Sequence, residues 1–288
     1  MSLISGNIAG RFIPVALLII AMISVQSGAS IAKMLFPLVG AEGATSLRLI
    51  VGASALMLFF RPWRSHWSAA NLAPLLVYGV VLGAMNFLFY QSILTLPLGV
   101  AVAFEFTGPL LVAILGSRRF IDFLWIILAM LGLSLLLPIG HSLSNIDITG
   151  AAYALAAGAC WALYIIFGKK SGTKNGAATA AVGTFIGALC FAPIGIWQNG
   201  MALVTPDVLP LAISVGILST ALPFSLEMIA LTKMPARTFG TLMSLEPAVG
   251  ALSGLIILGE RLTFLEWCAL GAIVLASAGA TLTIKTDK

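Results

Sequence analysis

Among the ionisable side chains in the long apolar stretches of this 288-residue sequence, four could do chemistry within a membrane: Arg48, Glu105, Glu227 and Glu246. An ionisable group at the centre of a lipid bilayer costs at least about 2.5 to 3.5 kcal/mol on insertion scales, so each residue needs a partner or a task. A guanidinium binds carboxylates through paired N–H donors, and a buried glutamate can accept from an ammonium group or exchange a proton near neutral pH. This set of groups could therefore hold a zwitterion and move a proton.

Each of the four residues also has a purely structural interpretation. Arg48 lies about four residues into its apolar stretch, so it could reach the outer interface or pair with a glutamate. Glu246 could bond to carbonyl groups freed by the proline that follows it. Glu227 shares a helix face with Thr220 and could make a plain hydrogen bond between two helices. Glu105 is open to both interpretations.

The composition indicates the elements that carry these residues. Hydrophobic residues make up 60% of the chain, charged residues make up 9%, and the mean hydropathy is +1.09. A soluble domain has roughly a quarter of its residues charged, so the values exclude a soluble enzyme and a disordered chain. We expect a polytopic membrane protein embedded in the lipid bilayer.

Ten apolar stretches are separated by proline, glycine or charged residues. Continuous runs of this length are typical of membrane helices and not of barrel strands, which alternate over about ten residues. The sequence therefore predicts an all-α fold of ten transmembrane helices, over residues 12–35, 44–60, 72–94, 99–117, 121–139, 150–168, 177–197, 208–231, 238–258 and 262–284.

The basic residues predict the orientation. With the N-terminus in the cytoplasm, only Lys33 and Arg261 lie near the outer face, and Arg48 lies within a span. This bias follows the positive-inside rule, so the pI of about 9.3 does not indicate a nucleic-acid partner, and we expect both termini in the cytoplasm. The cytoplasmic set is Arg11, Arg61, Arg64, Arg118, Arg119, Lys169, Lys170, Lys174, Lys233, Arg237, Lys285 and Lys288.

A weak internal repeat divides the chain into halves 1–143 and 144–288. Residues 50–53 resemble 185–188, residues 94–97 resemble 231–235, and residues 119–125 resemble 261–267. Because each half holds five predicted spans, an odd number, the second half must cross the membrane upside down. Inverted repeats of this kind are typical of secondary transporters, whose site lies between the halves near the midplane.

Catalytic sites are not supported by the motifs. The histidines His66 and His141 fall in predicted loops, the aspartates are scattered singly, and no phosphate-binding G-x-x-x-x-G-K-[ST] motif is present. The three cysteines have no metal-ligand spacing. We therefore expect neither an enzyme nor a metal or cofactor site.

Several motifs resemble the EamA-type, ten-helix carriers of the drug/metabolite transporter superfamily. The end of a repeat is suggested by Glu246-Pro247 and by residues 258–261. Residues 85–90, 104–109, 218–231 and 237–248 resemble the bacterial inner-membrane exporters of threonine and homoserine. The resemblance implies efflux of small amino acids by proton antiport with alternating access, and we expect a monomer.

The residues that this function requires can then be assigned. Glu227 and Glu246 are predicted to couple protons, and Gln26 and Ser30 could complete the substrate cavity.

Other substrates remain open, namely aromatic or sulfur amino acids, purines or cationic drugs, although Arg48 favours a substrate with a carboxylate. The predicted substrate-binding residues are Arg48, Asn86, Tyr90, Glu105, Trp161 and Tyr164.

Overall fold

The computed structural model describes residues 5–67, 69–96, 98–116, 120–136, 147–257 and 264–282. These ranges contain helices and connecting turns and no strand, which confirms the all-α prediction. The α-helices are α1 Ser5–Phe60, α2 Ala69–Thr95, α3 Leu98–Glu105, α4 Thr107–Gly116, α5 Phe120–Leu136, α6 Ile148–Asn175, α7 Ala177–Asn199, α8 Val208–Gly216, α9 Leu222–Lys233, α10 Ala236–Leu242, α11 Glu246–Ile257 and α12 Phe264–Leu282. Short 3-10 helices cover Pro62–Arg64, Gly200–Val204 and Met243–Leu245, and a π-helix covers Ile217–Ala221.

Six helical segments in the described ranges are long and apolar enough to cross a membrane: Phe12–Arg64, Leu72–Thr95, Ile148–Gly172, Ala177–Val204, Val208–Lys233 and Thr238–Ile257. Two shorter apolar helices cover Phe120–Gly132 and Trp267–Ala276. The first segment has 53 residues. A straight helix of that length would be about 80 Å long, more than twice the hydrocarbon thickness, so the segment must bend.

Gly40 supplies that bend. It has φ 64° and ψ 179° inside α1, and it divides the helix into a first leg, residues 5–39, and a second leg, residues 41–60. A positive φ suits glycine because it has no Cβ to clash with the backbone. The sequence predicted a break between two spans over 36–43, whereas both sides of Gly40 are helical. Gly176 joins α6 to α7 with φ 50° in the same way.

The surface is far more apolar than that of a soluble protein, and the ionisable groups of the spans are buried. Phe120 and Trp197 are 90% and 91% exposed, and many other large apolar side chains point outward. Arg48 and the three predicted glutamates are at most 8% exposed. This distribution is what a chain embedded in lipid requires, because apolar side chains face the lipid and ionisable groups face the interior of the bundle.

The helices cross at small residues. The second leg of α1 packs on α7, α2 packs on α6 and α7, and α5 packs on α12. A Cβ built on Gly83 would lie 2.7 Å from the Cα of Gly187, and one built on Gly79 would lie 2.8 Å from the carbonyl oxygen of Gly183. These two glycine pairs therefore bring α2 and α7 together within one chain, as small residues do in membrane helix packing.

Three predicted continuous spans are interrupted in the structure. The span 99–117 breaks after Glu105, 208–231 contains the π-helix, and 238–258 contains the 3-10 turn Met243–Leu245. The three interruptions begin three, six and four residues before a proline, namely Pro109, Pro223 and Pro247. A proline has no N–H for the carbonyl four residues earlier and its ring crowds that carbonyl, so the regular helix cannot continue. The prolines thereby place irregular backbone beside the buried glutamates.

Asp147 ties the start of α6 to the end of α2. Its carboxylate accepts hydrogen bonds from the Thr95 hydroxyl and from the Thr149 N–H, the latter at 3.0 Å. These bonds hold the pKa of Asp147 below its usual range, because they stabilise the ionised form. The contact is therefore kept at neutral pH and is lost only when acid protonates the carboxylate.

Candidate functional site

The buried arginine and the three buried glutamates meet in a cavity between the helices. Its volume is about 50 Å³, and it is partly open to the outside. The side chains that line it come from α1, α2, α3, α6, α9 and α11. They are Val25, Gln26, Ala29, Arg48, Met85, Asn86, Phe89, Glu105, Trp161, Phe224, Glu227 and Glu246.

Arg48 is held at the cavity wall by the irregular part of the eighth predicted span. Its Nε donates to Thr220 Oγ1 at 2.9 Å, and its terminal nitrogen donates to the carbonyl of Ser219 at 2.5 Å. The side chain is 4% exposed, so it does not extend to an interface. No carboxylate pairs with it among the described residues, so it is not half of a structural ion pair there either.

The π-helix explains why a carbonyl is free for Arg48. Leu222 donates its N–H to Ile217, five residues back, and Pro223 has no N–H. The carbonyls of Leu218 and Ser219 therefore lose their usual helical donors. The Ser24 hydroxyl, from the first leg of α1, takes the first at 2.5 Å, and Arg48 takes the second.

Two aromatic rings support the guanidinium. Its Cζ lies 5.1 Å from the ring centre of Tyr90 and 5.8 Å from that of Phe224, within the range of cation–π contacts. Tyr90 also packs edge-on against Phe36. Tyr90 lies outside the cavity lining, and its buried hydroxyl has no hydrogen-bond partner in the described part of the chain.

Glu227 is held by a tyrosine from another helix. Tyr164 donates its hydroxyl to Glu227 Oε2 at 3.0 Å, which joins α6 to α9. Tyr164 is fully buried behind the lining and packs against Tyr78 and Phe224. The predicted interhelical hydrogen bond therefore exists, and the carboxyl group nevertheless faces the cavity.

Glu246 lies in the first turn of α11 and contacts the first leg of α1. Gln26 Nε2 donates to Glu246 Oε1 at 2.8 Å, across 220 residues of sequence. The carboxyl group thus bonds to an amide and not to the carbonyls freed by Pro247. Gln26 Oε1 and Glu246 Oε2 are both buried, and within the described ranges neither has a hydrogen-bond partner.

The remaining predicted residues differ in their surroundings. Asn86 donates to the carbonyl of Leu82 in its own helix at 2.7 Å and faces the cavity, as does Trp161. Glu105 ends α3, and its carbonyl lies so close to Gly158 of α6 that a Cβ there would be 2.6 Å from the oxygen. Of the eight predicted site residues, the structure brings six into the lining and places Tyr90 and Tyr164 behind it.

Sequence reasoning missed several groups that shape this site. Met85, Phe89 and Phe224 had no pattern that distinguished them from packing residues. Ser219 and Thr220 precede Pro223 by four and three residues. A proline inside a predicted span signals a free carbonyl, so that spacing was the available clue.

A bundle of apolar helices around a buried, charged cavity defines a membrane carrier, and this chain belongs to the EamA-like transporter family of the drug/metabolite transporter superfamily. The family model matches residues 148–282. The chain is 58% identical over 276 residues to the threonine/homoserine exporter RhtA of Escherichia coli (strain K12), covering 96% of this chain and 94% of that protein. RhtA of Salmonella typhimurium (strain SL1344) matches with the same identity and coverage.

One solved crystal structure has the same fold. It superposes with a TM-score of 0.71 over 93% of this chain and 98% of its own. The two sequences are 19% identical, so the similarity concerns the fold alone.

Proposed function

We propose that this protein exports small amino acids of the threonine and homoserine class across the bacterial inner membrane, by proton antiport with alternating access. The observation that carries the proposal is a buried Arg48 that faces a cavity together with three glutamates and pairs with none of them in the described residues. Such a cation is costly unless an anionic group visits it. The names of the RhtA relatives support the same substrate class.

The lining gives each end of the substrate a partner. An arginine has five N–H donors, and Arg48 commits two of them to Thr220 and Ser219. The others are available to a substrate carboxylate. Asn86, Glu105 and Trp161 form further parts of the substrate site, while Tyr90 supports Arg48 and Tyr164 supports Glu227.

Glu227 or Glu246 serves as the proton-coupling group. Both are buried, face the cavity and lie where α9 and α11 follow an irregular segment. A carboxyl group in this position can take up a proton from one side and release it to the other as the carrier changes conformation. Export then uses the inward proton gradient.

Ten spans in two inverted halves, 1–143 and 144–288, are part of the same proposal, with both termini in the cytoplasm and one chain as the working unit. Gly40 and Gly176 lie 136 residues apart and each joins two long helices at a positive φ. In the repeat, the first span corresponds to the sixth and the third span to the eighth. The first span contacts the eighth through Ser24 and Leu218. The corresponding contact, between the sixth span and the third, is made by α6 and α2. These matched contacts support the repeat.

The alternative cargoes fit the cavity less well. A large organic cation would face the Arg48 guanidinium, which repels it, and purines have no carboxylate for that group to bind. Aromatic and sulfur amino acids share the zwitterionic end of the substrate. Competition among amino acids therefore has to be measured directly.

Purified protein in proteoliposomes tests the proposal. A panel of labelled amino acids is followed with and without an imposed pH gradient, with protein-free liposomes as the control. We expect accumulation of threonine and homoserine that requires the gradient and exceeds that of aromatic and sulfur amino acids. No flux of threonine and homoserine would contradict the substrate, and flux that ignores the gradient would contradict antiport and favour a channel.

A further inference from the structure

We infer that the pair formed by Gln26 and Glu246 is the subsite that binds the primary ammonium group of the transported substrate. The inference rests on the proposed function and assigns each end of the substrate, and the proton, to a different group of side chains. Gln26 and Glu246 hold the ammonium end, Arg48 holds the carboxylate end, and Glu227 is left to carry the proton.

The pair has two acceptor oxygens that receive no hydrogen bond from the described residues. The amide nitrogen of Gln26 is committed to Glu246 Oε1 at 2.8 Å, which fixes the orientation of both groups. The other oxygens, Gln26 Oε1 and Glu246 Oε2, are buried and have no partner in the described part of the chain. Buried acceptors without donors are rare in native proteins because each forfeits the hydrogen bond it would make to water. An ammonium group has three donors and no acceptor, so it complements two such oxygens.

Both residues line the cavity. Gln26 is 5% exposed and Glu246 is 4% exposed, and both are among the residues that line the empty space. Glu227 differs, because its Oε2 already accepts from Tyr164. Glu246 therefore differs from Glu227: its unpartnered Oε2 belongs to the same hydrogen-bonded pair as the unpartnered Oε1 of Gln26.

Gly250 provides the space for the Gln26 amide. It lies one turn after Glu246 in α11, and a Cβ built on it would be 3.2 Å from Gln26 Oε1. That distance is tight for a carbon and an amide oxygen, so the amide must shift when a methyl group is present. A Gly250→Ala variant thus disturbs the subsite without removing a polar group.

The test compares two inhibitors that differ at one group. Labelled threonine is exchanged across proteoliposomes at equal pH on both sides, so proton coupling does not enter. Unlabelled threonine and 2,3-dihydroxybutanoate, in which a hydroxyl replaces the ammonium group, compete with it. In Gln26→Leu and Glu246→Gln we expect the inhibition constant of threonine to rise about ten- to a hundredfold. The constant of the hydroxy acid should stay within about twofold, and Gly250→Ala should lie between wild type and these variants.

The chain contains a matched control. Gln91 Nε2 donates to Glu42 Oε1, also at 2.8 Å, outside the cavity lining. Gln91→Leu should leave the ratio of the two inhibition constants unchanged. An unchanged ratio of the two inhibition constants in Gln26→Leu and Glu246→Gln would overturn the subsite, whether both constants stay the same or both rise equally. Failure of the unaltered protein to exchange threonine would instead contradict the proposed function.

Discussion

Arg48 donates a hydrogen bond to the carbonyl of Ser219, a residue 171 positions later in the chain, and that carbonyl is free because Pro223 has no N–H to give it. One proline thus prepares the acceptor that orients the buried cation. The same interruption exposes the Leu218 carbonyl to Ser24. The irregular helix is therefore part of the site and not a defect in it.

Replacing Arg48 by lysine keeps the charge and removes the planar group. The ammonium cannot bond to Thr220 and Ser219 and still present paired donors to a carboxylate. We expect Arg48→Lys to raise the half-saturating threonine concentration about tenfold or more, as measured by exchange in proteoliposomes. Affinity equal to wild type would show that the substrate carboxylate binds elsewhere.

Thr220 positions Arg48 and does not line the cavity. Thr220→Val keeps the shape and removes the acceptor for Arg48 Nε, so the guanidinium loses one of two anchors. The half-saturating concentration should rise about three- to tenfold while the maximal exchange rate is kept. Ser214→Ala is the control, because Ser214 bonds only within its own helix, to Pro210. Equal effects of the two variants would refute the positioning role.

Glu227→Gln separates transport from coupling. Glutamine keeps the volume and can still accept from Tyr164, but it does not titrate. We expect threonine exchange to persist and accumulation driven by the pH gradient to disappear. Glu42→Gln, at a carboxylate outside the cavity, should retain both activities. Full gradient-driven accumulation by Glu227→Gln would move the search for the coupling group to Glu246 or Glu105.

Lys169 stabilises the end of α9. Its Nζ donates to the carbonyls of Leu231, Thr232 and Met234 at 2.7, 3.2 and 2.5 Å, where a cation also complements the helix terminus. Removing it should cost about 1 to 2 kcal/mol, so Lys169→Met should lower the thermal midpoint in detergent by several degrees. Lys233→Met removes an exposed charge nearby and should change the midpoint little. Equal midpoints for both variants would show that the clamp contributes nothing.

Reporter fusions test the orientation. Fusions after Ser65, after Arg119 and after Asn175 should report cytoplasm, and fusions near Glu42, Asn145 and Asn199 should report the outside. Arg119 and Asn145 lie outside the described residues, whereas Ser65 follows the second leg of α1 and Asn175 and Asn199 end α6 and α7. A reversal between consecutive fusion sites would mean that a span has been miscounted.

The sequence alone determined the fold class and selected the buried ionisable residues that line the cavity. Long apolar runs can satisfy their backbone in lipid only as helices, so composition and run length were enough to predict an all-α membrane protein. The cost of burying charge then selected Arg48, Glu105, Glu227 and Glu246, because a local pattern shows which ionisable residues lie within a span.

Only the tertiary structure decided which of these groups meet and which backbone carbonyls they bond to. The hydrogen bond from Gln26 to Glu246 spans 220 residues, and the one from Arg48 to Thr220 spans 172. Such pairs depend on how helices cross at Gly79, Gly83 and their partners, and shape complementarity between distant surfaces leaves no periodic signal in the sequence. The form of the turn at Gly40 was decided there too. The sequence predicted a break between two spans over 36–43, but not that the residues on both sides of Gly40 stay helical and that a single positive φ makes the turn.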